Sequence, residues 1–129
     1  MARATTDEMR ATLDHYVERF SAGDADGWVA LFTEDAVQED PVGGPPNTGH
    51  EGVARFYRTT RETFGEAELR LREEPIIIGN EAVMLLEALA GPAYARVRIP
   101  LIVDVVTFAD DARISSLRAF WDMGSIGPA

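Results

Sequence analysis

The segment from residue 99 to residue 108 constrains the fold of this 129-residue chain most strongly. It is dense in β-branched and aromatic residues, which is typical of a buried β-strand. Asp104 lies inside this segment with apolar residues on both sides. An ionised carboxylate there is costly unless it is paired. We therefore expect Asp104 either to keep its proton and donate a hydrogen bond, or to pair with Arg96 or Arg98.

The same segment is apolar on both faces after Pro100. Strict alternation would place Arg96 and Arg98 on the face of Asp104, so we expect a β-bulge at Pro100 that reverses the facing of the residues before it. The outer face would then carry three apolar side chains, Leu101, Val103 and Val105. Because a small domain cannot cover both faces of its own sheet, the pattern predicts a homodimer through the outer face.

The N-terminal part of the chain has the periodicity of an amphipathic helix. Thr5 and Glu8 form the pattern of a capping box, and Gly23 is placed to end the helix. The predicted inward face of this helix consists of Met9, Leu13, Tyr16, Val17 and Phe20. The spacing of these residues predicts that the helix packs against a core along one face.

Two further helices are expected before the run of strands that begins near residue 67. Asp24 or Asp26 is placed to cap a short second helix, and a strand over 36–40 ends at Pro41 before a loop over 42–49. The second helix would bury Trp28, Val29, Leu31 and Phe32. The third would turn Val53, Phe56, Tyr57, Thr60 and Phe64 inward.

From residue 67 onward the pattern changes to strands, expected at 69–73, 76–78, 82–90, 94–108 and 114–121. Helices followed by strands predict an α+β fold in which three N-terminal helices pack on one face of a curved antiparallel sheet. The length suits one domain over residues 1–129.

Composition excludes several classes of function. The net charge of −10 argues against nucleic acids, anionic membranes and anionic substrates. The chain has no cysteine, its two histidines lack the spacing of metal ligands, and no phosphate-binding or dinucleotide-binding motif is present. With no apolar signal or membrane-spanning stretch, we expect a soluble cytoplasmic protein that uses no metal or organic cofactor.

Tyr16 and Asp40 are candidates for chemistry as well as for structure. Tyr16 could be an amphipathic core residue, or a phenol that donates a hydrogen bond into a cavity. Asp40 could cap a loop, or it could be a general base at the end of a strand, since Pro41 favours extended backbone before it. Glu39 would face the opposite way on that strand and is the weaker candidate base. Tyr57 could be ordinary core, or it could hydrogen-bond the Tyr16 hydroxyl.

Taken together, these residues resemble the bacterial ketosteroid isomerases (steroid delta-isomerases). The matching stretches are 16–24, 30–32, 35–36, 39–43, 56–57, the strand around Asp104, and 117–121. The run Glu39-Asp40-Pro41 and the buried Asp104 are the most specific elements. The wider fold is similar to that of nuclear transport factor 2, which hosts cyclases, hydrolases and non-catalytic scaffolds.

The resemblance implies a role for each matching residue. Asp40 would be the general base, Tyr16 the phenol of the oxyanion hole, and Asp104 its protonated carboxylic acid. Tyr57 would support the Tyr16 hydroxyl, while Phe32 stands where some members have another tyrosine, so the chain of hydroxyls would be one link shorter. The residues expected to bind the substrate are Phe20, Phe56, Met84, Leu86, Ala119 and Trp121.

The implied reaction moves the double bond of a 3-oxo-Δ5-steroid to the conjugated Δ4 position through a dienolate. It takes a small apolar ketone as substrate and needs no cofactor. Two alternatives remain open at this point: a polyketide cyclase or another small-molecule enzyme on the same fold, and a non-catalytic domain that binds hydrophobic ligands. The joint presence of Tyr16, Asp40 and Asp104 favours an enzyme over a scaffold.

Overall fold

The computed structural model describes residues 2–129. The chain forms three α-helices: α1 (Thr6–Ala22) and α2 (Ala25–Val29) come first, and α3 (Gly49–Phe64) follows the first two strands. The strands are β1 (Phe32–Glu39), β2 (Asn47–Thr48), β3 (Ala67–Leu71), β4 (Ile76–Ile78), β5 (Glu81–Ala90), β6 (Val97–Phe108), β7 (Ile114–Phe120) and β8 (Gly127–Pro128). Within the described residues, no helix is long and apolar enough to cross a membrane.

Helix α1 begins and ends as its sequence predicts. The Thr5 side chain accepts a hydrogen bond from the Glu8 backbone, and the Glu8 carboxylate accepts one from the Thr5 backbone, so the capping box is confirmed. Gly23 ends the helix in the left-handed conformation, with φ of 76°. The buried face consists of Met9, Thr12, Leu13, Tyr16 and Phe20.

Helix α2 is shorter than the sequence suggested, and strand β1 is longer. The Asp24 side chain accepts a hydrogen bond from the Gly27 backbone, but the helix ends at Val29. Phe32 was expected in this helix and instead begins β1, where it pairs with Ile114 of β7. Pairing with a distant strand therefore overrides the local helical pattern at this point.

The sheet is mixed, which corrects the expectation of a purely antiparallel one. Its main order is β2-β1-β7-β6-β5-β3, with β4 paired to β5 and β8 paired to β6. The β1–β7 pair is parallel, while the other strand pairs are antiparallel. The segment 42–49 was expected to be a loop throughout, but its residues 47 and 48 form β2, which pairs with β1.

The expected bulge near Pro100 is confirmed. Leu86 pairs with Ile102 but Ala88 pairs with Ile99, so strand β6 has one more residue than β5 between these two pairs. The extra residue reverses the facing of the strand, and Ile99 and Asp104 therefore line the same inner cavity despite their odd spacing.

The helices and the inner face of the sheet enclose an aromatic core. Trp28 is fully buried at its centre and packs against five other rings, those of Tyr16, Phe20, Phe32, Phe56 and Tyr57. Within residues 2–129 the helices contribute to this one core, and the outer face of the sheet stays partly exposed. Leu101 is 43% exposed there, and Val103 and Val105 are half-buried.

Candidate active site

Tyr16 and Asp104 reach the same buried place from opposite sides of the domain. Tyr16 lies in the middle of α1 and is held between the rings of Trp28 and Phe32, with centroid distances of 5.4 and 6.3 Å. Asp104 lies on the inner face of β6, between Met84 of β5 and Ala119 of β7 in the strand register. Their exposed fractions are only 3% and 2%. Both polar groups line a single cavity.

Asp40 follows the last residue of β1 and is held close to the same centre by strand β7. Glu39 pairs with Arg118, and the Val42 backbone donates a hydrogen bond to the Ala119 carbonyl at 2.8 Å. Ala119 is thus the neighbour of Asp104 in the sheet and also the anchor of the loop that carries Asp40. Both carboxyl groups line one cavity.

Trp121 hydrogen-bonds Asp40, a contact that the sequence did not reveal. Its indole Nε1–H donates to Asp40 Oδ1 at 2.6 Å, and its ring also lines the cavity. The sequence indicated only an apolar wall at Trp121, since 81 positions separate the two residues. The bond leaves the other carboxylate oxygen of Asp40 available to take up a proton.

The three polar groups differ in how readily they ionise. Burial raises the pKa of Asp40 to about 6, and the Trp121 hydrogen bond acts in the opposite direction. Burial also raises the pKa of Asp104 well above its usual range, with a smaller contribution from the Asp40 charge and an opposing one from the Tyr16 phenol. Near pH 7 the site therefore holds an ionised Asp40 and a protonated Asp104.

Tyr16 completes the site as a second neutral donor. Burial raises the pKa of its phenol well above the ordinary value, and the neighbouring carboxyl groups of Asp104 and Asp40 act in the same direction. Asp104 Oδ1 is completely buried and has no hydrogen-bond partner within residues 2–129. An unpaired buried polar group costs about 1–3 kcal/mol. A ligand oxygen bound here would give the Asp104 carboxyl group a partner that the protein alone does not supply.

The alternative pairing of Asp104 with an arginine is wrong. Arg96 pairs with Glu68 at 3.3 Å and Arg98 with Glu87 at 2.7 Å, so both guanidinium groups are occupied elsewhere. Glu39 forms an ion pair with Arg118 at 3.1 Å and does not line the cavity. It therefore faces away from Asp40, as the alternation of the strand predicted.

The cavity admits water over a volume of about 90 Å³, within about 730 Å³ of space free of atoms that includes the mouth open to solvent. Four of the six predicted wall residues line it: Phe20, Phe56, Leu86 and Trp121. The other two, Met84 and Ala119, do not. They are fully buried on either side of Asp104 and form the packed sheet around it, so they do not form the wall that was expected of them, and their role in binding stays a prediction.

Further wall residues were not predicted as part of the site. They are Thr60, Phe64, Leu69, Val97, Ile99 and Ile102, together with Ala67. Ala88 and Ala90 also line the cavity. The helical spacing of Phe56, Thr60 and Phe64 was the available signal, because residues four apart lie on one face of α3. Val97 and Ile99 could be assigned to the cavity only after the bulge had been located.

Tyr57 does not make the predicted hydrogen bond to Tyr16. Its hydroxyl donates to the Phe20 carbonyl at 3.4 Å and accepts from Arg61 Nη2 at 2.9 Å. The Arg61 side chain also binds the Phe20 carbonyl, at 3.2 Å. The Phe20 carbonyl lies in the last turn of α1, where it also accepts the Gly23 backbone N–H, so both side chains are held at the end of that helix. Tyr57 therefore supports the site through packing.

The arrangement combines one base with two neutral donors inside apolar walls. An ionised carboxylate can take a proton from carbon, and two aligned O–H donors can stabilise negative charge on a ligand oxygen. The walls exclude water, which strengthens these interactions. This chemistry suits an uncharged ligand that carries a carbonyl group.

The chain is similar to known proteins over most of its length. The model of the SnoaL-like domain matches residues 13–117. The steroid Delta-isomerase of Nocardioides simplex is 27% identical over 129 residues, covering 92% of this chain and 94% of that protein. A solved structure of SalBIII, described as an epoxide hydrolase/cyclase-like enzyme with a role in pyran ring formation in polyether salinomycin, is also 27% identical, with a TM-score of 0.84 over 95% of this chain and 97% of that one.

Both of these relatives are enzymes, and the structural match agrees with the predicted helices on an open, curved sheet. The family match covers well over half of the sequence. The chain belongs to the SnoaL-like domain family.

Proposed function

We propose that this protein is a steroid delta-isomerase that moves the double bond of a 3-oxo-Δ5-steroid to the conjugated Δ4 position. The observation that carries the proposal is the meeting of Asp40, Tyr16 and Asp104 in one apolar cavity. The similarity to a steroid Delta-isomerase supports the same substrate class. The acidic net charge of −10 also agrees with an uncharged ligand.

The reaction begins at the carbon between the ketone and the double bond. The Asp40 carboxylate takes a proton from that carbon, and the electron pair of the broken C–H bond moves through the new enolate toward the ketone oxygen. Tyr16 and Asp104 donate hydrogen bonds to this oxygen and stabilise the dienolate. Protonated Asp40 then returns its proton two carbons further along, which leaves a conjugated ketone and an ionised Asp40.

The proposed reaction depends on the ionisation states of Asp40 and Asp104. Asp40 must be charged to accept the proton, and its pKa of about 6 places that state at neutral and higher pH. The same pKa makes protonated Asp40 a ready donor for the return step, because a base close to neutrality balances the two transfers. Asp104 favours its protonated form at neutral pH, since burial holds its pKa well above the usual one.

The direct test mixes the protein with 5-androstene-3,17-dione and follows the ultraviolet absorbance of the conjugated enone. Asp40→Asn removes the base at nearly constant shape, and we expect a loss of about 10²–10⁴-fold in rate. The matched control is Glu39→Gln, which alters the neighbouring acid on the opposite face and should keep the rate. Absence of turnover by the unmodified protein, or an Asp40→Asn variant as fast as it, contradicts the proposal.

A second candidate, a polyketide cyclase, is favoured by the similarity to SalBIII. In such a reaction Asp40 would take the proton of an attacking hydroxyl, and Asp104 would transfer its proton to the oxygen released when an epoxide C–O bond breaks. Asp104→Asn separates the two functions. An amide still donates a hydrogen bond, so an isomerase should keep much of its rate and lose more in Asp104→Ala. An epoxide-opening cyclase should lose its activity in both variants.

A further inference from the structure

Thr60 is a polar residue in a part of the cavity that has no assigned chemistry. The other polar side chains in the wall are Tyr16, Asp40 and Asp104, which form the catalytic centre, and Trp121, whose indole N–H is bound to Asp40. All remaining wall residues in the described part of the chain are apolar. A hydroxyl placed among hydrocarbon walls is a means of selecting ligands, because it favours those that carry a matching polar atom.

The Thr60 hydroxyl is free to bind a ligand. A threonine inside a helix commonly satisfies its hydroxyl at the carbonyl four residues earlier, and Thr12 of α1 does so at the Glu8 carbonyl, 3.2 Å away. Within residues 2–129 the Thr60 side chain forms no such bond. Thr60 is half-buried and its side chain lines the cavity.

Its neighbours on α3 place Thr60 between the two ends of the cavity. Phe56 stacks on Trp28, which contacts Tyr16, so Phe56 marks the catalytic end. The carbonyl of Phe64 approaches Gly91, which follows the Ala90–Val97 pair, so Phe64 marks the far end. Thr60 lies midway, about 6 Å along the helix axis from each.

The cavity continues well past the catalytic groups in this direction. Val97 and Asp104 both line it and pair with Ala90 and Met84, which are six residues apart on β5, a separation of about 20 Å at the rise of a β-strand. A ligand whose ketone reaches Tyr16 and Asp104 therefore extends along α3 toward Val97 and passes the Thr60 hydroxyl.

We propose that Thr60 is a specificity-determining residue whose hydroxyl hydrogen-bonds a second oxygen of the substrate, on the side that faces α3 and away from the reacting ketone. The inference rests on the proposed function for the placement of that ketone. A hydroxyl both donates and accepts, so the second oxygen can belong to a hydroxyl or to a carbonyl group. The preferred substrates are thus apolar ketones that carry a further oxygen on a distant ring.

The test measures ligand affinity and does not depend on turnover. Four ketones are titrated by calorimetry: 4-androsten-3-one and its 11-, 12- and 17-hydroxy derivatives. Thr60→Val removes the hydroxyl at nearly constant volume, and Thr60→Ser restores it. Thr59→Val makes the same chemical change one position away, at an exposed residue of the same helix, and is the matched control.

We expect Thr60→Val to weaken binding of at least one hydroxylated ketone by about two- to tenfold, the range for one neutral hydrogen bond. The affinity for 4-androsten-3-one should stay the same or improve, Thr60→Ser should recover the loss, and Thr59→Val should have no effect. A Thr60→Val variant that changes all four dissociation constants by the same factor, or changes none of them, overturns the inference.

The isomerase assay on 5-androstene-3,17-dione separates this inference from the proposed function. If the protein isomerises the steroid but Thr60→Val has no selective effect on binding, the Thr60 inference is wrong and the proposed function stands. If the protein binds the ketones with the expected selectivity but does not isomerise the steroid, the Thr60 inference stands and the proposed function is wrong. Failure to bind any of the four ketones contradicts both.

Discussion

Replacing Trp121 with phenylalanine should move the acid limb of the pH–rate profile to higher pH. In the structure the indole N–H donates to Asp40 Oδ1 at 2.6 Å, which lowers the pKa of Asp40. The net pKa is about 6, because burial raises it by more than this bond lowers it. Phenylalanine keeps an aromatic wall but has no donor. The ionised form of Asp40 then loses a hydrogen bond, so its pKa should rise further.

The size of the shift follows from the strength of a hydrogen bond to a charged group. Such a bond contributes about 1.5–3 kcal/mol, and one pKa unit corresponds to about 1.4 kcal/mol, so we expect a rise of about one to two units. Since Asp40 must be ionised to take the proton, kcat/KM at pH near 6 should fall by about 5- to 50-fold relative to the unmodified protein. At about pH 9 the ionisation deficit should have nearly disappeared.

The measurement is a profile of kcat/KM against pH for isomerisation of 5-androstene-3,17-dione. Phe64→Leu is the matched control, because Phe64 lines the cavity without contacting Asp40. It should alter the rate by the same factor at every pH. An acid limb that stays in place in Trp121→Phe, with activity lowered uniformly, would show that the indole serves only as a wall and would refute the reasoning.

Three further predictions concern the remaining parts of the site and the outer face of the sheet. Tyr16→Phe deletes one oxyanion donor while keeping the ring, so the rate should fall by about 10²–10³-fold with folding retained; a fall of less than about threefold, far below that range, would make Tyr16 a core residue only. Asp104 keeps its proton in the folded protein but loses it on unfolding above its ordinary pKa of 3.8. The unfolded chain therefore binds fewer protons, and this group makes the protein less stable as pH rises, until the pH reaches its folded pKa. Asp104→Asn should remove that effect. The unfolding free energy of the variant minus that of the unmodified protein should therefore rise by about 1.4 kcal/mol for each pH unit in this window. Denaturation curves in which this difference does not change with pH would contradict a neutral Asp104. The protein should also be a homodimer through the outer face of the sheet, where Leu101 is 43% and Phe120 41% exposed. Sedimentation should show a dimer at micromolar concentration that Val103→Asp converts to a monomer, and a stable monomer of the unmodified protein would exclude it.

Local sequence patterns determined most of the secondary structure and the identity of one unusual residue. The capping box at Thr5 and the glycine at position 23 set the two ends of α1, because both act through neighbouring backbone groups. Asp104 could be recognised from its strand alone, since a carboxyl among β-branched residues must be buried. Likewise, the bulge near Pro100 followed from a conflict between alternation and charge.

Contacts between distant parts of the chain were decided only by the tertiary structure. The parallel pairing of β1 with β7 brings Asp40 beside Ala119, and the end of β7 carries Trp121 to Asp40. No local pattern encodes either contact, because each depends on how separate strands are ordered in the sheet. The sequence was misleading for Tyr57 for the same reason, as its hydroxyl binds the Phe20 carbonyl and the Arg61 guanidinium at the end of α1 rather than Tyr16. Residue types thus indicated which groups could perform the chemistry, while strand order and helix packing decided which of them meet.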